Sequence, residues 1–324
     1  MRITRRNILK LAGVASSAAA LPGALRAEGM TGTGAAATQL PFALTTPIHV
    51  GEAALRVRDL DLMVRYYAAM LGLEELRREN GTSVLGAGGS PLLHLVHTPD
   101  ASFEAPDAAG LFHIAYLMPS RADLARWLVH IAATQVPVTG FADHSVSEAV
   151  YLTDPEGNGV EVYSDRPRES WKWQDGVVTM GTHPLDIDSI IALADTTRDG
   201  YRTAPDRLRI GHIHLKVGEI AKARTFYGDA IGLTSTRGER KDAGFFSSGG
   251  YHHHVAFNIW SSEGAGTRDN ARTGLAWFSL ALAGKAELSA RKERLQRAGI
   301  SFATTEGYTD VVDPWGTNVR LVVS

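Results

Sequence analysis

The sequence predicts an α+β protein of four tandem βαβββ modules that curl pairwise into two half-open β-barrel cavities. Three observations carry this reading. First, Leu55–Leu73 and Leu215–Leu233 match without a gap, aligning Leu55 with Leu215, Val57 with Val217, Tyr67 with Tyr227 and Gly72 with Gly232. Each copy opens with the two-residue alternation of a strand, then changes to a helical period that ends near a glycine. Second, the same order recurs where GLFHIAYLMP leads into RADLARWLVHIAA and where GLAWFSLALA leads into GKAELSARKERLQRAG. Third, YLTDPEGNGVEVY and VVDPWGTNVRLVV end two modules alike, with Pro155/Gly157 and Pro314/Gly316 making a turn before an alternating strand.

The modules run over residues 48–98, 111–165, 209–261 and 273–324. The halves are then an N-terminal domain, 48–165, and a C-terminal domain, 209–324, joined by a connection at 166–208. In that connection Trp171 and Trp173 are expected to pack on a domain surface or at the mouth of a site. One βαβββ unit has an open sheet edge and one apolar face, and two such units can enclose a concave ligand site.

The chain of 324 residues is 44% hydrophobic and 21% charged, which supports ordinary globular cores and argues against disorder. At the N-terminus, Arg2, Arg5, Arg6 and Lys10 precede an Ala-rich apolar stretch from Leu11 to Leu25, with small residues at Ala20, Ala24 and Ala27. This is the order of an export signal, expected over residues 1–27. The TRRNILK start resembles the twin-arginine type, whose Tat machinery carries folded proteins to the periplasm. Residues 28–47 read as a small-residue tether. Loss of residues 1–27 removes five basic side chains and no acidic one, moving the formal charge from -2 to -7. An acidic protein without a basic tract argues against nucleic acid as a partner. There is no cysteine, so disulfides and thiolate ligands are excluded, and any metal must be held by His, Asp or Glu.

Several strands place polar side chains among apolar neighbours. Glu161 sits between Val160 and Val162, and a buried carboxylate without a partner costs several kcal/mol, of order the 3–5 lost when a buried ion pair is broken. Its position suggests that it faces a cation. His113 in LFHIAYL and His212 in RIGHIHLKV occupy the same place in their modules, and His214 shares a face with His212. Two histidines and one carboxylate form the usual non-haem iron(II) set, which leaves positions open for substrate and oxygen. The run His252-His253-His254 lies in an apolar segment, where alternation puts His252 and His254 on one face and His253 on the other. One of them should supply an imidazole base. His144 and Tyr151 could reach the same cavity. His94 and His97 read as core or rim residues, and His49, His130 and His183 carry no ligand signal. The fourth module has lost the pattern, with Ala276 and Trp277 at the first-strand position and Arg320 in place of Glu161.

The strings GHIHLKV, DHSVSEAVYLTDPEGNGVEVYSDRPRESW and GGYHHHVAFNIW resemble the vicinal oxygen chelate superfamily of glyoxalases and extradiol dioxygenases. Within it the likeness is to bacterial catechol-2,3-dioxygenases of the two-domain type, from about Ile48 to the C-terminus. The resemblance implies Fe(II), or sometimes Mn(II), held by His113, His212 and Glu161, with Tyr151 contacting substrate. The HHxxAF pattern of extradiol enzymes aligns His253 with their acid–base histidine, whereas the internal repeat favours His254; His253 is preferred. The implied activity is ring cleavage of a catechol-like diol, with both atoms of O2 inserted beside the diol and His144 and Tyr151 assisting. A glyoxalase-like isomerase, an epoxide-opening enzyme and a non-catalytic small-molecule binder are the alternatives. Modules two and three are rich in ligands and module four is not, so the working cavity is expected between two and three, not three and four. Were module two to pair with module one, Glu52, His113 and Glu161 would be the residual set. Self-association into a homo-oligomer is left open.

Overall fold

A computed structural model of the chain describes residues 2–11 and 40–324. The apolar stretch of the expected export signal and most of the tether lie outside these residues. Within them, α1 (Arg5–Leu11) lays Ile8 into the core and accepts a bond from Val138 N at Leu11 O, 3.3 Å away. Among the described residues no helix is long and apolar enough to cross a membrane.

Each predicted module is present. Module one is β1 (Ile48–Val57), α2 (Leu60–Leu71), β2 (Glu74–Glu79), β3 (Thr82–Ala87) and β4 (Ser90–His97). Module two is β5 (Gly110–Leu117), α3 (Arg121–Thr134), β6 (Gly140–Asp143), β7 (Ser147–Thr153) and β8 (Gly159–Asp165). The connection holds a short hairpin, β9 (Trp173–Gln174) and β10 (Val177–Val178), and α4 (Ile187–Ile191). Module three is β11 (Arg209–Lys216), α5 (Ile220–Ala223) continuing as a π-helical turn over Arg224–Ala230, β12 (Thr234–Ser235), β13 (Ala243–Ser247) and β14 (Val255–Asn258). Module four is β15 (Gly274–Leu282), α6 (Lys285–Arg297), β16 (Phe302–Thr304), β17 (Tyr308–Val312) and β18 (Asn318–Val323).

Local chemistry sets the element ends. Asp59 caps α2 by accepting from Leu62 N, and Ser120 caps α3 by accepting from Asp123 N. Gly72 ends α2 at φ 72°, and a Cβ there would meet Ala204 N at 2.5 Å, so both conformation and space demand glycine.

The strands form two eight-stranded sheets, ordered β16-β17-β18-β15-β1-β4-β3-β2 and β12-β13-β14-β11-β5-β8-β7-β6. Within every module the first and last strands run parallel, and modules join through antiparallel first strands, β1 with β15 and β5 with β11. Module two therefore pairs with module three and module one with module four, and neither sheet closes into a barrel. The sequence halves 48–165 and 209–324 do not correspond one to one with the sheets. The edge strand β2, EELRRE, is exposed at every position and presents charges that discourage further pairing.

Two tyrosines bind the sheets together. Tyr67 on α2 donates to Asp154 Oδ2 in the module-two turn at 3.0 Å, and its repeat counterpart Tyr227 donates to Asp313 Oδ2 in the module-four turn, also at 3.0 Å. Both phenols are fully buried. Each bond joins modules that belong to different sheets. Burial pushes the Asp154 carboxyl up to about 6, against the donors Asn158 and Tyr67. In the connection, Trp171 is buried against Tyr251 and His252, while Trp173 is partly exposed in the hairpin opposite the buried Val178.

Tyr67→Phe and Tyr227→Phe should each lower unfolding stability by about 1.5–3 kcal/mol, the range for a hydrogen bond to a charged group, with little change in secondary structure. Denaturant unfolding followed by circular dichroism measures this, and unchanged midpoints for both variants would refute the tie.

Candidate metal centre and cavity

Strand register builds the site. The β5–β11 ladder sets His212 opposite Ala115 and His214 opposite His113. The β5–β8 ladder sets Ala115 beside Glu161, and β7–β8 sets Tyr151 opposite Glu161. His212, Ala115, Glu161 and Tyr151 thus form one row across four strands, with His113 two residues along β5 on the same face. The small Ala115 leaves room for the side chains flanking it to lean together.

His113 Nε2 lies 2.9 Å and His212 Nε2 3.3 Å from Glu161 Oε2, and the two Nε2 atoms are 3.3 Å apart. These ligand atoms all fall within 4.8 Å of one another, the one such group of three among the described residues, and all three residues are buried. Burial acts to raise the Glu161 carboxyl, but the imidazoles of His212 and His113 outweigh it and hold it well below the usual carboxylate range. Burial pushes His212 down to about 4, against the pull of Glu161. The set is therefore a buried carboxylate with two imidazole nitrogens directed at one of its oxygens. A proton satisfies at most one of these pairings, whereas a divalent cation satisfies all three at once, so the residues fit a metal ion.

A cavity of about 420 Å³ opens above the cluster, walled by Phe112, Phe141, Met180, Phe245 and Trp260, with Arg237 and Arg240 also lining it. Tyr151 and His144 both line it. His144 Nδ1 donates to Gly181 O at 2.7 Å, which leaves Nε2 to accept the Tyr151 hydroxyl at 2.6 Å. Burial and the nearby Glu161 carboxylate push the Tyr151 phenol well above its ordinary value, keeping it a donor.

The three consecutive histidines point three ways. Residues 251–254 lie outside any strand, β14 starting at Val255, so strand alternation does not govern them. His253 lines the cavity with its ring centroid 4.1 Å from that of His212. His254, considered as an acid–base candidate, points elsewhere: its Nε2 bonds Ala43 O at 2.9 Å and its Nδ1 bonds Ser247 Oγ at 3.0 Å. It is fully buried and anchors the chain before β1. His252, a member of the run not preferred as the base, bonds Asp165 Oδ1 through Nε2 at 2.9 Å and meets His253 Nδ1 through Nδ1 at 2.8 Å. A carboxylate can only accept, so His252 Nε2 carries hydrogen. With His252 neutral, its Nδ1 accepts from His253 Nδ1–H, and the lone pair of His253 lies on Nε2. Asp165 follows Glu161 by four residues on β8, a spacing that places both on one face of the strand and could have drawn attention to it. His214 also lines the cavity, accepting from Asn258 Nδ2 at 2.9 Å; its shared face with His212 was visible in the sequence.

The other sheet carries a second cavity, also of about 420 Å³, lined by Glu52, His94, Trp277, Ser279, Tyr308 and Arg320 among others. Here Ser279 pairs with Arg320 as Ala115 pairs with Glu161, so Arg320 replaces the glutamate and Trp277 replaces His113. The charges are matched internally. Glu52 bonds His94 at 2.5 Å, and Arg320 lies over Trp277 and pairs with Asp310 at 3.2 Å. His94 thus belongs to this cavity's rim, and His97 is exposed.

The sequence matches the Glyoxalase/Bleomycin resistance protein/Dioxygenase superfamily over residues 49–162 and 209–319. The chain belongs to that superfamily. It is 34% identical over 270 residues to a catechol-2,3-dioxygenase of Bacillus subtilis (strain 168), an alignment covering 82% of this chain and 94% of the relative. A putative dioxygenase from Bacillus subtilis subsp. subtilis str. 168 superposes with a TM-score of 0.59 at 13% identity, covering 86% of this chain and 85% of the other. Glyoxalase I from Zea mays superposes with a TM-score of 0.52 at 16% identity, covering 87% and 94%. Both likenesses show the shared superfamily fold.

Imidazole nitrogen shifts in protein labelled with 15N-histidine should report the Nδ1–H form of His253 and the Nε2–H form of His252. A His253 that carries its proton on Nε2 at neutral pH would refute the hydrogen-bond order drawn from Asp165.

Proposed function

We propose that this protein is an extradiol dioxygenase that cleaves catechol-like aromatic diols. The observation that carries the reading is the convergence of Glu161, His113 and His212 beneath an aromatic-walled cavity that also holds a separate imidazole, His253. The catechol-2,3-dioxygenase relative supports it.

An iron(II) ion, or manganese(II), held by His113, His212 and Glu161 would acidify the diol and provide open positions that bring diol and O2 together. The chain's own groups do the rest. His253 Nε2 takes one hydroxyl proton from the diol and returns a proton as the ring opens. Tyr151 and His144, bonded to each other, orient the oxygens at the end of the row through Glu161. Phe112, Phe141 and Phe245 give the ring apolar walls and exclude water. In the overall change, the carbon–carbon bond beside the diol breaks and both atoms of O2 end in the product, a semialdehyde acid when the substrate is a simple catechol. The same reading includes export: the paired arginines Arg5 and Arg6 support passage of the folded chain to the periplasm by the Tat machinery, tested by fractionation. Recovery only in the cytoplasm with residues 1–27 intact would refute that part.

Oxygen uptake with catechol, together with metal analysis of protein purified without chelator, tests the activity. The native chain should contain about one iron or manganese and consume O2 as a yellow product appears; Glu161→Ala should lose both. His253→Asn should keep the metal and reduce turnover at least about 100-fold, in line with loss of a general acid–base group. Bound metal with no uptake on any catechol would favour an isomerase or epoxide-opening reaction. Absence of stoichiometric metal would favour a binding protein.

A further inference from the structure

The charges that line the metal-site cavity are Glu161, Arg237 and Arg240, all other titratable groups there being histidines or Tyr151. Two of the three are matched. Glu161 faces the imidazole pair and the cation they would share, and Arg240 makes a two-pronged pair with Asp242 at 2.9 and 2.7 Å. Asp242 is further engaged by Trp260 Nε1 at 2.9 Å. Arg237 differs. Its guanidinium gives one bond, from Nη2 to Met180 O at 3.0 Å, and makes no ion pair with any carboxylate among the described residues. It lies with Cζ 5.1 Å from the Phe245 ring centroid. That ring in turn meets His253, with centroids 5.3 Å apart. The guanidinium and the imidazole beside the metal cluster therefore contact the same phenyl ring. Burial and the neighbouring Arg240 push the guanidinium below the usual arginine value, against a weaker pull from Asp242, whose carboxylate is bonded to Arg240 and Trp260.

A guanidinium has five donors in a planar fork that fits a carboxylate in two-pronged fashion, and a positive group in a cavity wall with no carboxylate bonded to it favours an anionic guest. We propose that Arg237 is a specificity residue that recognises a carboxylate carried by the substrate, so that the preferred substrates are aromatic acids and not uncharged diols. This rests on the diol-cleaving reading for the orientation of the guest: the diol lies at the His113–Glu161–His212 cluster and the carboxylate on the ring position or short arm directed at Phe245 and Arg237. Charge balance supports the pairing. Glu161 would offset one charge of a divalent ion, and no carboxylate is bonded to Arg237, which leaves its charge for the substrate's carboxylate.

Binding measured by calorimetry without oxygen tests this on the full metal-loaded chain, with catechol, 3,4-dihydroxybenzoate, 3,4-dihydroxyphenylacetate and, lacking the diol, benzoate and phenylacetate. At least one dihydroxy acid should bind ten-fold or more tighter than catechol. Arg237→Met should collapse that preference to within about three-fold, and Arg237→Lys should retain part of it. A loss of 10- to 100-fold is what removal of a charge-assisted bond implies. Equal binding of catechol and both dihydroxy acids to the native chain, or an unchanged preference in Arg237→Met, would overturn the proposal. Should phenylacetate or benzoate bind in an Arg237-dependent way while no diol adds affinity, the anion site stands and the diol-cleaving reading falls. Should the diols bind with no gain from a carboxylate, that reading stands and the anion site falls.

Discussion

The antiparallel ladder between β5 and β11 is the constraint on which the site depends. His113 and His212 are 99 residues apart in the chain, and only this pairing brings their Nε2 atoms to 3.3 Å. The parallel pairing of β5 with β8 then sets Glu161 across Ala115 from His212. A slip of one residue in either ladder would turn the corresponding side chain to the opposite face and dissolve the cluster. The buried hydrophobic faces of all three strands oppose such a slip, so the same burial that stabilises the sheet also holds the donors in place. Tyr67 and Tyr227, each reaching a buried aspartate on the other sheet, hold the two sheets in their mutual position.

Four copies of one module produced two cavities of similar size but opposite character. In one, acceptor groups converge without a fixed positive partner, which creates the demand for a cation. In the other, Arg320 stands where the glutamate would be and is paired with Asp310, while Glu52 is paired with His94. With a guanidinium in the glutamate's place and a tryptophan in that of His113, the three-donor set is not formed there. The difference arises from a few side chains on a common backbone and not from any difference in strand order, since both sheets follow the same pattern.

Around the cluster, hydrogen bonding assigns roles that residue type does not. Gly181 O fixes His144 so that its free nitrogen accepts from Tyr151, and Asp165 fixes His252 so that the chain of imidazoles ends in a lone pair on His253. Neutral imidazoles are otherwise ambiguous, each nitrogen being donor or acceptor according to its partner. His254, with the same side chain and an adjacent position, has both nitrogens engaged by Ala43 O and Ser247 and plays a packing role.

Much of this was legible before any fold was known. The repeats reported the modules because strand and helix periods differ, and Glu161 stood out because a charge in an apolar strand requires a reason. His113 and His212 were traceable because repeated modules repeat their positions. Which histidine of the 252–254 run faces the cavity was not legible, since the chain there leaves the strand and the two-residue period no longer applies. Nor was the Asp165–His252 bond, which spans 87 residues, or the placement of Arg237 on an irregular segment. The sequence by itself determined the modules, the chemical kinds of the ligands and the loss of the pattern in module four, because these depend on local periodicity. Tertiary structure alone decided which sheet edges meet, and hence which nitrogens and oxygens share a point in space, because that choice is made by burial and pairing between strands distant in the chain.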